Sequence, residues 1–108
     1  MARYRFGNGL EVVEFDSSTG EIVTKERRVQ LRPQPARALE YLVQRRGELV
    51  SRSELQRALW PEGTFVHFDY GLNSCLKQIR AALASSGSAR GYVQTFVKRG
   101  FRFIAPVL

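Results

Sequence analysis

The sequence of 108 residues contains only one cysteine, Cys75, and one histidine, His67. A single cysteine excludes an internal disulfide, and one cysteine with one histidine cannot form the ligand cluster of a metal site. No apolar run approaches the roughly 18 residues that a membrane span requires, and the N-terminus lacks a signal-peptide core. We therefore expect a cytoplasmic protein that holds no metal or cofactor and makes no membrane contact through these residues.

Acidic residues are missing from the last third of the chain. Residues 1–69 carry eleven Lys/Arg and ten Asp/Glu, whereas residues 70–108 carry six Lys/Arg and no acid. The formal net charge of +7 is thus concentrated at one end. Such one-ended charge indicates a nucleic-acid or anionic-membrane partner, with a merely basic surface as the alternative. An enzyme is the weakest reading, because no acid–base or nucleophile–base pair is present, and we predict no catalytic residue.

The segment 72–83, LNSCLKQIRAAL, has the clearest helical period in the chain. Its apolar residues recur every three or four positions and predict one buried stripe, formed by Leu72, Leu76, Ile79 and Leu83. Cys75 lies close to this stripe, and we expect it to be a partly buried small hydrophobe. The opposite side has no acid and consists of Asn73, Ser74, Lys77, Gln78, Arg80 and Ala81. It fits either an ordinary solvated surface or a helix laid against a polyanion.

The remaining patterns predict one domain over 1–108. Turn clusters and helix signals divide it into four strands over about 4–31, helices over about 33–46, 51–60 and 70–84, and a hairpin over about 92–104. Ser51 and Glu54 have the spacing of a capping box, and Val50 with Leu55 can form a hydrophobic staple at the second helix. We expect Asp69 to cap the third helix.

This order of elements predicts an α+β winged helix-turn-helix. It combines an N-terminal four-stranded antiparallel sheet, three helices and a C-terminal β-hairpin wing. In such folds the third helix enters the major groove, which is about 12 Å wide, and the wing reaches the backbone or minor groove.

Three segments resemble the OmpR/PhoB-type winged-helix DNA-binding domain of bacterial transcriptional regulators. They are LVSRSEL with LW over 49–60, LNSCLKQIRAAL over 72–83, and YVQT with RGFRF over 92–103. The sheet before the first helix matches this family too. The resemblance implies sequence-specific binding of double-stranded DNA, with the 70–84 helix in the major groove and residues 97–100 of the wing on the backbone or minor groove.

The resemblance also implies which residues contact DNA. They are Asn73, Ser74, Lys77, Gln78 and Arg80 in the recognition helix, Trp60 at the end of the second helix, and Thr95, Lys98 and Arg99 in the wing. Lys77 can offer its charge to guanine or phosphate, and Gln78 can pair bidentately with adenine. Family members often have two arginines at these two positions, so base preference does not carry over. Phe101 replaces a common tyrosine and lacks its hydroxyl.

Further partners follow from the same resemblance. The 61–68 loop corresponds to a segment that can meet RNA polymerase, although its apolar character also fits a packing role, as does His67 within it. Family members usually bind direct repeats as tandem dimers. If Met1 is the native start, no receiver domain precedes the winged helix. That arrangement is similar to regulators in which a membrane segment or sensor domain follows an N-terminal winged helix, here after Leu108.

A second function class stays open beside DNA binding. The domain could act as a protein–protein interaction module that docks an acidic partner through its basic surface. An exposed apolar patch around Phe65, Val66 and Phe68 would favour that function.

Overall fold

The computed structural model describes residues 3–7, 12–24, 28–61, 68–83 and 92–105. The strands are β1 (Arg3–Gly7), β2 (Val12–Asp16), β3 (Glu21–Val23), β4 (Arg28–Gln30), β5 (Leu49–Ser51), β6 (Val93–Phe96) and β7 (Gly100–Phe103). The helices are α1 (Pro33–Gln44), α2 (Arg52–Leu59) and α3 (Phe68–Leu83). This architecture confirms the predicted winged helix-turn-helix and adds one strand, β5, to it.

The N-terminal strands form an antiparallel sheet in the order β1-β2-β3-β4. Alternation along β2 places Val13 and Phe15 in the core, both 0% exposed, while Glu14 faces outward. Ion pairs cross the outer face of the sheet, for example between Arg28 and Glu21 at 3.2 Å. The sheet thus covers the helices with one face and is solvated on the other.

Helix α1 begins after Arg32, whose side chain makes no capping hydrogen bond, as its chemistry predicts. The helix ends at Gln44, two residues before the predicted end. Gly47 then adopts a φ of +83° and donates its N–H to the carbonyl oxygen of Phe103 over 2.9 Å. This glycine turns the chain out of the helix and into β5.

Ser51 ends β5 and is also the N-cap of α2. Its hydroxyl accepts a hydrogen bond from the Glu54 N–H at 3.0 Å, and Val50 and Leu55 are both buried as the predicted staple requires. The Glu54 carboxylate accepts a 2.6 Å hydrogen bond from Tyr41 and pairs with Arg45, which joins α2 to α1. The hydrogen bond to this carboxylate raises the pKa of Tyr41.

The unpredicted strand β5 pairs antiparallel with β7, so that the wing is a three-stranded sheet in the order β5-β7-β6. Gly100 makes this pairing possible. Its φ is +147°, and a Cβ at this position would lie 2.0 Å from the carbonyl oxygen of Val50. Only glycine lets the two backbones approach this closely. The base of the wing is fixed to the core, since the Phe6 and Phe103 rings meet edge to face at 5.0 Å.

Helix α3 begins at Phe68, two residues before the predicted start. The expected capping by the Asp69 side chain lies outside the described part of the structure. The predicted apolar patch around Phe65, Val66 and Phe68 and the expected packing role of His67 depend on side chains that lie outside the described part of the structure.

Candidate nucleic-acid interface

Helix α3 has the two faces that its sequence predicts. Leu72, Leu76, Ile79 and Leu83 are at most 2% exposed and pack into the core, and Cys75 beside them is 3% exposed. Burial raises the pKa of the Cys75 thiol, so this group stays protonated near neutral pH. On the opposite side Asn73, Lys77 and Ala81 are exposed, while Ser74, Gln78 and Arg80 are half-buried. This second side is called the α3 face below.

Tyr70 belongs to the same face and was not predicted as a site residue. It lies in the first turn of α3, three residues before Asn73, and its side chain is 77% exposed. An aromatic ring with a hydroxyl is suited to stack on a sugar or to donate to a phosphate. The helical period of the sequence could have identified Tyr70, because residues 70, 73, 74, 77 and 81 share one side of a helix.

Two amide side chains of the α3 face are already hydrogen-bonded within the protein. The Gln78 amide donates to the Ser74 hydroxyl at 3.2 Å, one helical turn away. The Asn73 Oδ1 accepts a 3.2 Å hydrogen bond from Arg52, the first residue of α2. The Arg52 guanidinium also lies 5.5 Å from the centre of the Phe101 ring. Arg52 therefore connects α2, α3 and β7, a role that the sequence did not indicate.

Trp60, the predicted DNA-backbone contact after α2, is only 8% exposed. Its ring lies against Gly71 in the first turns of α3, where a Cβ would come within 2.8 Å of Trp60 Cη2. The absence of a side chain at position 71 thus lets α2 and α3 approach closely. The indole is therefore a core group with little exposed surface.

Arg80 connects α3 to the wing. Its guanidinium donates to the hydroxyl of Thr95 and, at 3.4 Å, to the carbonyl oxygen of Val93, both on β6. The sequence predicted Arg80 and Thr95 as separate DNA-contacting residues. The structure brings them together, and their contact fixes the position of the wing relative to the α3 face.

The tip of the wing is a turn closed by a 2.8 Å hydrogen bond from the Arg99 N–H to the Phe96 carbonyl oxygen. Val97, Lys98 and Arg99 in this turn are exposed, Val97 to 78%. Lys98 has a φ of +63°, a left-handed conformation that rarely suits a residue with a side chain. The turn thus presents two adjacent cations to solvent. Phe101 is 2% exposed and is a core residue, in agreement with its missing hydroxyl.

The charged side chains named on the α3 face and at the wing tip are all positive. No acid occurs after residue 69, and the ion pairs found in the described part of the chain lie in the N-terminal sheet and between α1 and α2. The α3 face and the wing tip therefore form one basic surface, which is called the α3–wing surface below. Its cations are Lys77, Arg80, Lys98 and Arg99.

The described residues lack two features that mark other classes of protein. Within these ranges no three His, Cys, Asp or Glu side chains are grouped so that they could hold a metal ion. No described helix has the length and apolar character that crossing a membrane requires.

Helix-turn-helix geometry, a basic α3 face and a basic wing define a winged helix of the nucleic-acid-binding type. Residues 25–103 match the family described as "Transcriptional regulatory protein, C terminal". The chain therefore belongs to this family, and it is a DNA-binding domain of a transcription regulator.

Two curated relatives are transcriptional activators from Vibrio. The cholera toxin transcriptional activator of Vibrio cholerae is 32% identical over 100 residues, which cover 90% of this chain and 34% of that protein. The cholera toxin homolog transcriptional activator of Vibrio parahaemolyticus is 32% identical over 79 residues, 73% of this chain and 27% of that protein. The chain thus spans about a third of the length of these relatives.

Solved structures have the same fold. The DNA-binding domain of Escherichia coli CadC superposes with a TM-score of 0.74 at 25% identity, over 91% of this chain and 89% of that one. The DNA-binding domain of Klebsiella pneumoniae RstA, solved in complex with the RstA box, superposes with a TM-score of 0.71 at 16% identity. That match covers 96% of this chain and 98% of the other, and it supports the fold alone.

Proposed function

We propose that the α3–wing surface reads double-stranded DNA sequence-specifically, with α3 in the major groove and residues 97–100 on the backbone or in the minor groove. The Arg80–Thr95 contact is the observation that carries this proposal. It joins the reading helix to the wing, so that both can engage one duplex in a fixed register. The likeness to the CadC DNA-binding domain supports DNA binding, and the RstA domain, which was solved with its DNA box, shares the fold.

The residues of the surface then divide into two roles. Lys77, Arg80, Lys98 and Arg99 contribute charge toward phosphates, which gives affinity without sequence information. Asn73, Ser74 and Gln78 lie on the α3 face where base edges would be reached. Trp60 and Thr95 contribute backbone contacts at the two sides of the helix.

The test of this function is selection of bound duplexes from a random pool at two salt concentrations. We expect a defined consensus at both concentrations and weaker binding at the higher one. Gln78→Ala should relax the consensus at one base position. Replacing Lys98 and Arg99 together with Ala should weaken all duplexes similarly and leave the consensus unchanged. A pool that stays random after selection would contradict sequence-specific reading.

Other parts of the proposal rest on the family alone. Two protomers would bind direct repeats in tandem, and the 61–68 loop would contact RNA polymerase. If the partner is double-stranded DNA of a bacterial cell, as proposed, the domain would act in the cytoplasm. We propose a binding module without catalytic activity, because the α3–wing surface offers cations and amides but no acid–base pair.

A further inference from the structure

The Arg52–Asn73 hydrogen bond fixes the direction of an amide on the α3 face. An asparagine amide has a donor end and an acceptor end, and the two are interchangeable in shape. Arginine can only donate hydrogen bonds, so the atom of Asn73 that faces Arg52 must be the oxygen. The partner therefore determines the orientation of this amide. The Gln78 amide differs, because the Ser74 hydroxyl could either accept from it or donate to it.

The position of Arg52 is itself fixed. It is the first residue of α2, and its guanidinium lies over the ring of Phe101, which is 2% exposed. A cation held between a buried ring and an amide oxygen has little freedom to move away. Asn73 is exposed in the second turn of α3, on the same side as Lys77. The oriented amide thus lies on the surface that would meet DNA.

An amide whose oxygen faces an arginine recognises a different base from a freely turning one, because its nitrogen is the end left to meet a base. The bidentate pair with adenine needs the oxygen and the nitrogen of the amide aimed together at N6 and N7. Here Oδ1 is directed at Arg52, and the adjacent positive charge also disfavours the approach of the adenine amino group. Guanine presents two acceptors in the major groove, O6 and N7, and thymine presents one, O4. Adenine presents the acceptor N7, but the N6 amino group stands beside it, and the Arg52 charge disfavours the approach of that donor.

We propose that Arg52 is a specificity-determining residue that orients the Asn73 amide so that Asn73 donates to a base-edge acceptor, guanine before thymine, instead of pairing with adenine. This inference rests on the proposed DNA reading by α3. It assigns Arg52 a positioning role, which acts on base choice through Asn73.

The test compares consensus sequences selected by the wild-type domain and by variants. Asn73→Ala identifies the base position that Asn73 reads, since preference is lost there. Wild type should select guanine or thymine at that position. Arg52→Met keeps an unbranched apolar stem over Phe101 but releases Oδ1, and it should shift that position toward adenine by roughly tenfold, the effect of one good base contact. The matched control Arg57→Met removes an arginine from the same helix and should leave the position unchanged.

Asn73→Asp examines the same geometry without risk to the core, because position 73 is exposed. Its carboxylate still accepts from Arg52 but donates nothing, so the preference for an acceptor base should disappear. If Arg52→Met lowers the affinity and leaves the consensus unchanged, Arg52 makes only a phosphate contact, and the inference is overturned. Adenine at the wild-type position would overturn it too. Failure of the wild type to select any consensus is a different result, which refutes the proposed function itself.

Discussion

Lys98 at the wing tip has a left-handed backbone conformation, with a φ of +63°. For a residue with a Cβ this conformation costs about 1–2 kcal/mol. Lys98→Gly removes that cost, while the greater freedom of glycine in the unfolded chain offsets about 0.4–1 kcal/mol of the gain. The net gain in the free energy of unfolding is about 0.5–1 kcal/mol, which corresponds to a rise in Tm of about 2–5 °C.

The matched variant Lys98→Ala separates the backbone effect from the charge. Alanine removes the same cation but keeps the Cβ, so its Tm should not rise. Both variants should bind DNA more weakly than wild type, and the slope of log affinity against log salt should fall in magnitude by about 0.9 in each. Calorimetric melting and a salt titration of duplex binding measure the two effects. An equal rise in Tm for both variants would refute the strain argument, and an unchanged slope would refute the phosphate contact.

Three further predictions concern the wing and the core. Gly100→Ala should lower the free energy of unfolding by more than about 4 kcal/mol and prevent cooperative melting, because its Cβ would lie 2.0 Å from the Val50 carbonyl oxygen. A normal melting curve would contradict this expectation. Arg80→Met and Thr95→Val should each lower the free energy of unfolding. A double-mutant cycle measured by denaturant unfolding should give a coupling energy of about 1 kcal/mol between them. Additive effects would argue against the contact. Burial raises the pKa of Cys75 above its ordinary 9.0, so alkylation of this thiol should be slower in the native than in the unfolded protein. The free energy of unfolding should fall above about pH 9, where only the unfolded thiol ionises. Equal alkylation rates would contradict the burial.

Local signals were sufficient for most of the fold. The stripe from Leu72 to Leu83 predicted α3 because a helix repeats every 3.6 residues, and Ser51 predicted the start of α2 because its hydroxyl can satisfy a free N–H. Turn residues between short apolar segments predicted the four N-terminal strands. These features depend on residues close in sequence, and the structure agrees with them.

The features that the sequence did not reveal depend on long-range contacts. Strand β5 has only three residues, and its pairing with β7 joins distant parts of the chain. The Arg52–Asn73 and Arg80–Thr95 contacts likewise become visible only when α2, α3 and the wing are assembled. Tyr70, by contrast, could have been predicted from the sequence, because the helical period of α3 already placed it on the α3 face.

Binding of a duplex through the basic surface of α3 and the wing requires that the affinity depend strongly on salt. The measurement is the affinity of the wild-type domain for its selected duplex between about 50 and 200 mM salt. With one phosphate contact for each of the four cations of the α3–wing surface, we expect a log–log slope of about −3.6, a loss of roughly 10²-fold over that range. A slope near zero would contradict the account, because a duplex held by this surface must release counterions.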